Sequence, residues 1–295
     1  MVNERYSVEL LYEYLNDPNI LVVPLNANIP KITNVSTFTR QKNIINIPDD
    51  ERHKHDIRSI LNKVTDATLI NLEDEIKHIH VTTETDLNII VNEFFKKMCI
   101  DWRLVDTYYK LFQKIDARVT ELDPNKKTGT LIKKIILRCK QEFDKPDDIE
   151  TMVLMTMNGC DEKDPVCRDY LNNREIKIGL MHLIVCIYKT ILLNNQAEYN
   201  KNVIYICLNQ LISKFDNYSK LYLATSDTDE EEKTTNEIMS DWYGELVYNI
   251  LLAGKDVLPL VVNMKKLIDK FKSMISISRV NYISTNCLTL LSEYY

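Results

Sequence analysis

Leu87-Asn88-Ile89-Ile90-Val91-Asn92-Glu93-Phe94-Phe95-Lys96-Lys97-Met98 is the stretch that decides the fold. Leu87, Ile90, Val91, Phe94, Phe95 and Met98 recur at steps of three and four, which lines them along one face of an α-helix. Thr83 and Asp86 stand just ahead as a capping box, a hydroxyl and a carboxylate placed to satisfy backbone N–H groups at the helix start. The same spacing returns in Ile132, Ile135, Ile136, Cys139 and Phe143, leaving Lys134, Arg138 and Gln141 on a wet face. Asp147 with Glu150 is predicted to cap a helix running through Met155. Ile178 to Leu193 is apolar nearly all round, as expected of a helix enclosed by neighbours. Further helices are predicted over 53–63, 66–79, 102–116, 201–215, 236–253, 256–272 and 277–292.

Composition agrees with this reading. Only five glycines occur in 295 residues, too few for phosphate-cradling loops or a strand-dense fold with many tight turns. At 45% apolar residues the chain can build a substantial core, and the string of paired helices joined by short links reads as an all-α protein. The expected architecture is an α-solenoid of about five helix pairs. No strict repeat is visible, which excludes tetratricopeptide and ankyrin arrays and favours HEAT-like pairs, whose signatures are degenerate.

Four of the eight prolines (Pro18, Pro24, Pro30 and Pro48) fall in the first 48 residues, where no helical period is sustained. Residues 17–50 therefore read as an extended linker, and 51–295 as the helical body. Ahead of the linker, in residues 1–16, stands the isolated apolar segment Arg5-Tyr6-Ser7-Val8-Glu9-Leu10-Leu11-Tyr12. As a helix it places Tyr6, Leu10 and Leu11 on one face with Tyr12 beside them, the form of a docking peptide. Tyr, four residues, Leu and a large apolar residue resembles the segment by which translation initiation factor 4G and its competitors hold the cap-binding protein, initiation factor 4E. Tyr218 with Leu223 comes near the pattern but has the small Ala224 in the last place.

Three stretches of the body resemble one family, the middle domain of translation initiation factor 4G. Ile57-Arg58-Ser59-Ile60-Leu61-Asn62-Lys63-Val64-Thr65 resembles its first helix, which closes on Leu-Asn-Lys-Leu-Thr. Leu137-Arg138-Cys139-Lys140-Gln141-Glu142-Phe143 resembles the Arg-Cys-Gln-x-Glu-Phe helix, and Asn173-Arg174-Glu175-Ile176-Lys177-Ile178-Gly179 the segment Asn-Ile-Lys-Phe-Ile-Gly. Ser278-Arg279-Val280-Asn281-Tyr282-Ile283 is similar to Ser-Arg-Ile-Arg-Phe-Met, with Asn281 in place of an Arg. The order and approximate spacing are kept from about residue 52 to near the end.

The resemblance implies a scaffold without catalysis of its own, bridging the cap-binding protein and the DEAD-box RNA helicase initiation factor 4A. Arg5, Tyr6, Leu10, Leu11 and Tyr12 would hold the first partner, each apolar anchor contributing about 1.5 to 3 kcal/mol before ordering costs. By position, Asn62, Lys63 and Thr65 would meet one lobe of the helicase, and Arg279, Asn281 and Tyr282 the other. Two rival readings stand beside it: a decoy that occupies the cap-binding protein without recruiting the helicase, and an RNA-binding HEAT module of another mRNA pathway. The last rests on Lys126, Lys127, Lys133, Lys134, Arg138 and Lys140, in a segment, 126–145, with seven basic residues against two acids. Without interleaved aromatics these would give weak, salt-sensitive RNA contact with no sequence readout. The net charge of −6 gives no general attraction to nucleic acid.

Neither catalysis nor a cofactor is expected. His53 with His55 and His78 with His80 are two apart and point to different sides of a helix, and Cys160 with Cys167 lacks zinc-knuckle spacing, so no metal is expected. Seven cysteines, several at apolar helix positions such as Cys139, Cys186 and Cys207, suit reduced core thiols better than disulfides. With no signal-peptide pattern and no run long enough to span a bilayer, a cytoplasmic protein without a membrane partner is expected. The abundance of Asn, Ile, Lys and Tyr suggests AT-rich coding, as in some protists and large DNA viruses; for a viral chain the expected location is the host cytoplasm. The acidic run Asp227 to Glu237 reads as a solvated loop.

Overall fold

The computed structural model describes residues 48–79, 81, 83–122, 129–193, 203–260, 264–277 and 289–292. The chain divides into Met1–Asn46 and a compact unit of Ile47–Tyr295, in which all the described residues fall. Ten α-helices run through them: α1 (Asp49–Leu61), α2 (Leu72–Ile76), α3 (Glu84–Ile100), α4 (Val105–Leu122), α5 (Thr130–Asp144), α6 (Ile149–Asn158), α7 (Pro165–Leu193), α8 (Val203–Ala224), α9 (Glu230–Gly254) and α10 (Met264–Ile277). Thr289–Ser292 is helical as well, and no strand occurs among the described residues. The fold is all-α.

The predicted face of α3 is the core of the molecule. Leu87, Ile90, Phe94 and Met98 are fully enclosed, and the capping box forms: Thr83 N–H donates to Asp86 Oδ2 at 2.7 Å and Asp86 N–H to Thr83 Oγ1 at 3.1 Å. In α5, Ile132, Ile135 and Cys139 are buried, with Ile136 and Phe143 packed against them. α4 repeats the three-and-four spacing in Tyr108, Phe112, Ile115 and Val119, and its Phe112 ring lies 5.2 Å from that of Phe94.

Every residue from Ile178 to Tyr188 is buried, so this part of α7 is surrounded, as its all-round apolar sequence requires. α7 packs on α3, α4, α5, α6, α8 and α9. The odd-numbered helices form a row, α1 on α3, α3 on α5, α5 on α7 and α7 on α9, while α8 and α9 make the most extensive pair. The direct contact of α7 with α3 exceeds what strict nearest-neighbour stacking would give. It depends on Gly179: a Cβ there would collide with the backbone carbonyl of Cys99 at the end of α3.

Several predicted boundaries are corrected. The stretch 66–79 is mostly turns around the short α2, because the Thr65 and Thr68 hydroxyls bond to nearby backbone groups and compete with helical pairing. Glu230 to Glu237, expected in a loop, forms the first two turns of α9, where acids are favoured by the helix dipole and Asp229 caps by accepting from Glu232 N–H. The cap of α6 is Asp148, accepting from Thr151 N–H at 3.1 Å, and not Asp147. Pro259 lies in a 3-10 turn, Leu258–Leu260, that ends the run from α9 before α10. Among the cysteines, Cys99, Cys139, Cys186 and Cys207 are buried free thiols, whereas Cys160 and Cys167, expected to be reduced, are joined in a disulfide with Cα atoms 5.6 Å apart. The turn that reverses the chain between α6 and α7, with Gly159 at φ +76°, brings the two together.

Candidate functional site

Asp147 does inside the fold what a cap would have done at its edge. Its carboxylate, nearly enclosed in the link between α5 and α6, accepts from the Tyr243 hydroxyl at 2.8 Å and from Trp242 Nε1 at 3.5 Å. Lys177 Nζ lies 3.8 Å and Lys214 Nζ 3.9 Å away. Lys177 also donates to the carbonyls of Glu142 (2.9 Å) and Lys145 (3.0 Å), so one ammonium closes the end of α5 onto α7. Burial pushes Lys177 below its ordinary value, against the upward pull of Asp147. Arg174, one turn earlier, pairs with Glu245 at 2.5 Å and lies over the Trp242 ring at 5.7 Å. Around this hub opens a cleft of about 240 Å³. A second, apolar cleft of about 640 Å³ lies between α5, α7 and α8, lined by Phe143, Ile184, Tyr188 and Ile206 among others.

One of these contacts joins two of the stretches singled out in the sequence. Lys177 of Asn173–Gly179 bonds to Glu142 of Leu137–Phe143. Arg58, in the first stretch, makes a two-pronged bond to Glu93 of α3, at 2.7 and 2.9 Å.

Asn62, Lys63 and Thr65 stand together, exposed, at the end of α1. Asn62 accepts from Lys97 at 3.3 Å, Lys63 pairs with Glu75 at 2.8 Å, and Thr65 shares a turn with Thr68. They form a polar edge. Of the basic set, Lys133 and Lys140 are exposed on α5. Lys134 is paired with Glu84 and donates to Asn88 at 3.0 Å, while Arg138 lies 4.6 Å over the Phe95 ring and pairs with Glu142 at 3.1 Å. Lys134 and Arg138 are thus compensated within the fold, which lowers what they offer to phosphates. Tyr218, the near match to the docking pattern, is stacked on Tyr243 at 5.6 Å. Arg5, Tyr6, Leu10, Leu11, Tyr12, Lys126, Lys127, Arg279, Asn281 and Tyr282 lie outside the described residues.

The hub of Asp147, Trp242 and Tyr243 was not legible from spacing, since its members are about a hundred residues apart in sequence. No nucleophile–base pair emerges from it: its groups hold one another, and the arrangement can position helices. No group of three or more His, Cys, Asp or Glu side chains arranged to hold a metal ion occurs among the described residues. No helix among them is long and apolar enough to cross a membrane. No protein-family model matches the chain, and no curated protein is detectably similar to it.

Proposed function

We propose that this chain is a translation-initiation scaffold of the factor 4G type. Its amino-terminal segment holds the cap-binding protein through Tyr6, Leu10, Leu11 and Tyr12, with Arg5 against surface acids. Its helical body, read as a HEAT-like solenoid, holds the DEAD-box helicase at two ends, Asn62, Lys63 and Thr65 at one and Arg279, Asn281 and Tyr282 at the other. The chain carries no chemistry of its own in this reading; a rigid body that binds the helicase lobes best in a productive arrangement raises their turnover by population shift.

The observation that carries the reading is the order and spacing of the sequence stretches, with the docking pattern standing ahead of them. The row of odd-numbered helices and the bond between Lys177 and Glu142 support it, as does Gly179, the last residue of its stretch, at a helix crossing that tolerates no side chain. RNA contact through Lys133 and Lys140 is at most an accessory, given the pairing of Lys134 and Arg138. The test is helicase ATPase activity with and without the chain. Wild type is expected to stimulate it, and the Arg279→Glu/Tyr282→Ala variant to lose the stimulation with its helical circular dichroism intact. Absence of stimulation by wild type would favour the decoy.

A further inference from the structure

α6 is apolar on the face it should show to water. Its sequence, Ile149-Glu150-Thr151-Met152-Val153-Leu154-Met155-Thr156-Met157-Asn158, has six apolar residues in ten, yet Met152 alone is buried. Leu154 is 50% and Met157 60% exposed, and Val166 in the first turn of α7 is 53% exposed. Leu154 and Met157 are three apart and so share the outward face. A surface helix ordinarily turns one apolar stripe inward and a polar one outward. Here the inward stripe is already packed on α7 and α9, so the outward one has no work in holding the fold.

The surroundings are acidic. Residues 147–169 contain seven Asp or Glu against two Lys or Arg. Asp147 is turned inward and Asp148 caps α6, but Glu150 is exposed one turn before Leu154 on the same face, and Glu162 and Asp169 are exposed in the turn and on α7, with Lys163 and Arg168 exposed among them. The strip is also held in shape: Asp161 and Asp164 accept from the backbone N–H groups of Lys163 and Val166, and the Cys160–Cys167 bond closes the turn. A preformed surface loses little entropy on binding.

We propose that the outward face of α6 and its turn into α7 is a docking site for a basic amphipathic helix of a partner protein. Its apolar row covers Leu154, Met157 and Val166, and its Lys or Arg row meets Glu150, Glu162 and Asp169. Methionine suits such a face because its flexible, polarizable side chain adapts to the knobs of another helix. A nucleic acid or an acidic segment is repelled by the rim, and a second copy of this strip brings the same sign of charge.

The test uses the full chain and a fluorescent peptide with Leu and Lys rows on a helical period, read by anisotropy. Its Leu/Glu counterpart and a scrambled Leu/Lys peptide serve as controls. The Leu/Lys helix is expected to bind about tenfold or more tighter than either control. Leu154→Ser/Met157→Ser is expected to weaken it about tenfold, and Glu150→Lys/Glu162→Lys to weaken it and flatten its salt dependence, with unchanged thermal melting in both. Equal binding by wild type and the serine variant, or equal binding of the scramble, overturns the proposal. So does concentration-dependent self-association in sedimentation that the serine substitutions abolish, since the strip would then serve a second copy.

Discussion

Single residues hold this molecule at a few points, and Asp147 is the clearest. Removing its carboxylate takes away the acceptor of the Tyr243 hydroxyl and the ion-pair partner of buried Lys177. Asp147→Ala is expected to cost about 3 kcal/mol in urea unfolding, against about 1 kcal/mol for Tyr243→Phe, which deletes the bond to Asp147 and a longer one from Lys214. Asp241 acts in the opposite direction. One of its oxygens is buried with no hydrogen-bond partner among the described residues, and burial, with Glu237 and Glu245 nearby, pushes its carboxyl up to about 6. In the unfolded chain it titrates near 3.8, so between about pH 4 and pH 6 the folded state binds more protons and stability falls as pH rises. Asp241→Asn is expected to flatten that slope and to gain about 1 kcal/mol near neutral pH, a figure reduced for solvent screening because the group is only part-buried. Urea titrations across the window check both the sign and the slope. Neither residue announced itself in the sequence: Asp147 looked like a cap because Glu150 follows it, and only the arrival of Trp242 and Tyr243 from α9 turns it inward.

Helices, by contrast, were legible where apolar residues recur with a period. α3, α5 and the buried half of α7 stand where Leu87–Met98, Ile132–Phe143 and Ile178–Leu193 predict them, since one face or all faces must leave water. The start of α9 was not legible, because its first turns are set by the Asp229 cap and the helix dipole and carry no apolar period. The link from α4 to α5 was hidden too. Buried Asp116 of α4 accepts from the backbone N–H groups of Gly129 (3.0 Å) and Leu131 (2.7 Å), capping α5 from another helix. Burial raises its carboxyl and these bonds lower it, burial being the larger. Asp116→Ala is expected to cost about 2 kcal/mol by leaving two buried donors open. At the α3–α7 crossing, Gly179→Ala is expected to cost about 2 kcal/mol or more, because the added methyl meets backbone that cannot rotate away. Gly254→Ala, which meets only the movable side chain of Leu258, should cost less. Comparative thermal melts of the two alanine variants rank them, and a milder Gly179→Ala would contradict the close crossing.

The described residues form a helical body centred on α7, which packs on six of the other helices. Its all-α class followed from period and glycine scarcity, whereas the contact of α7 with α3 comes from a single missing side chain that no periodicity reports. The candidate sites divide the same way. The edge Asn62, Lys63 and Thr65 is exposed at one end of α1, and Lys134 and Arg138 on the basic face of α5 are compensated by Glu84 and Glu142, carboxylates whose reach no spacing rule gives. The function proposed requires that one chain hold two partners at once, and this is tested by immobilising the cap-binding protein and asking whether the helicase is retained only when the chain is added. Wild type is expected to retain the helicase, Tyr6→Ala/Leu11→Ala to lose both the chain and the helicase, and Arg279→Glu/Tyr282→Ala to lose the helicase alone. A wild-type chain that stays on the cap-binding protein and never retains the helicase, or that binds neither, would contradict the proposed function.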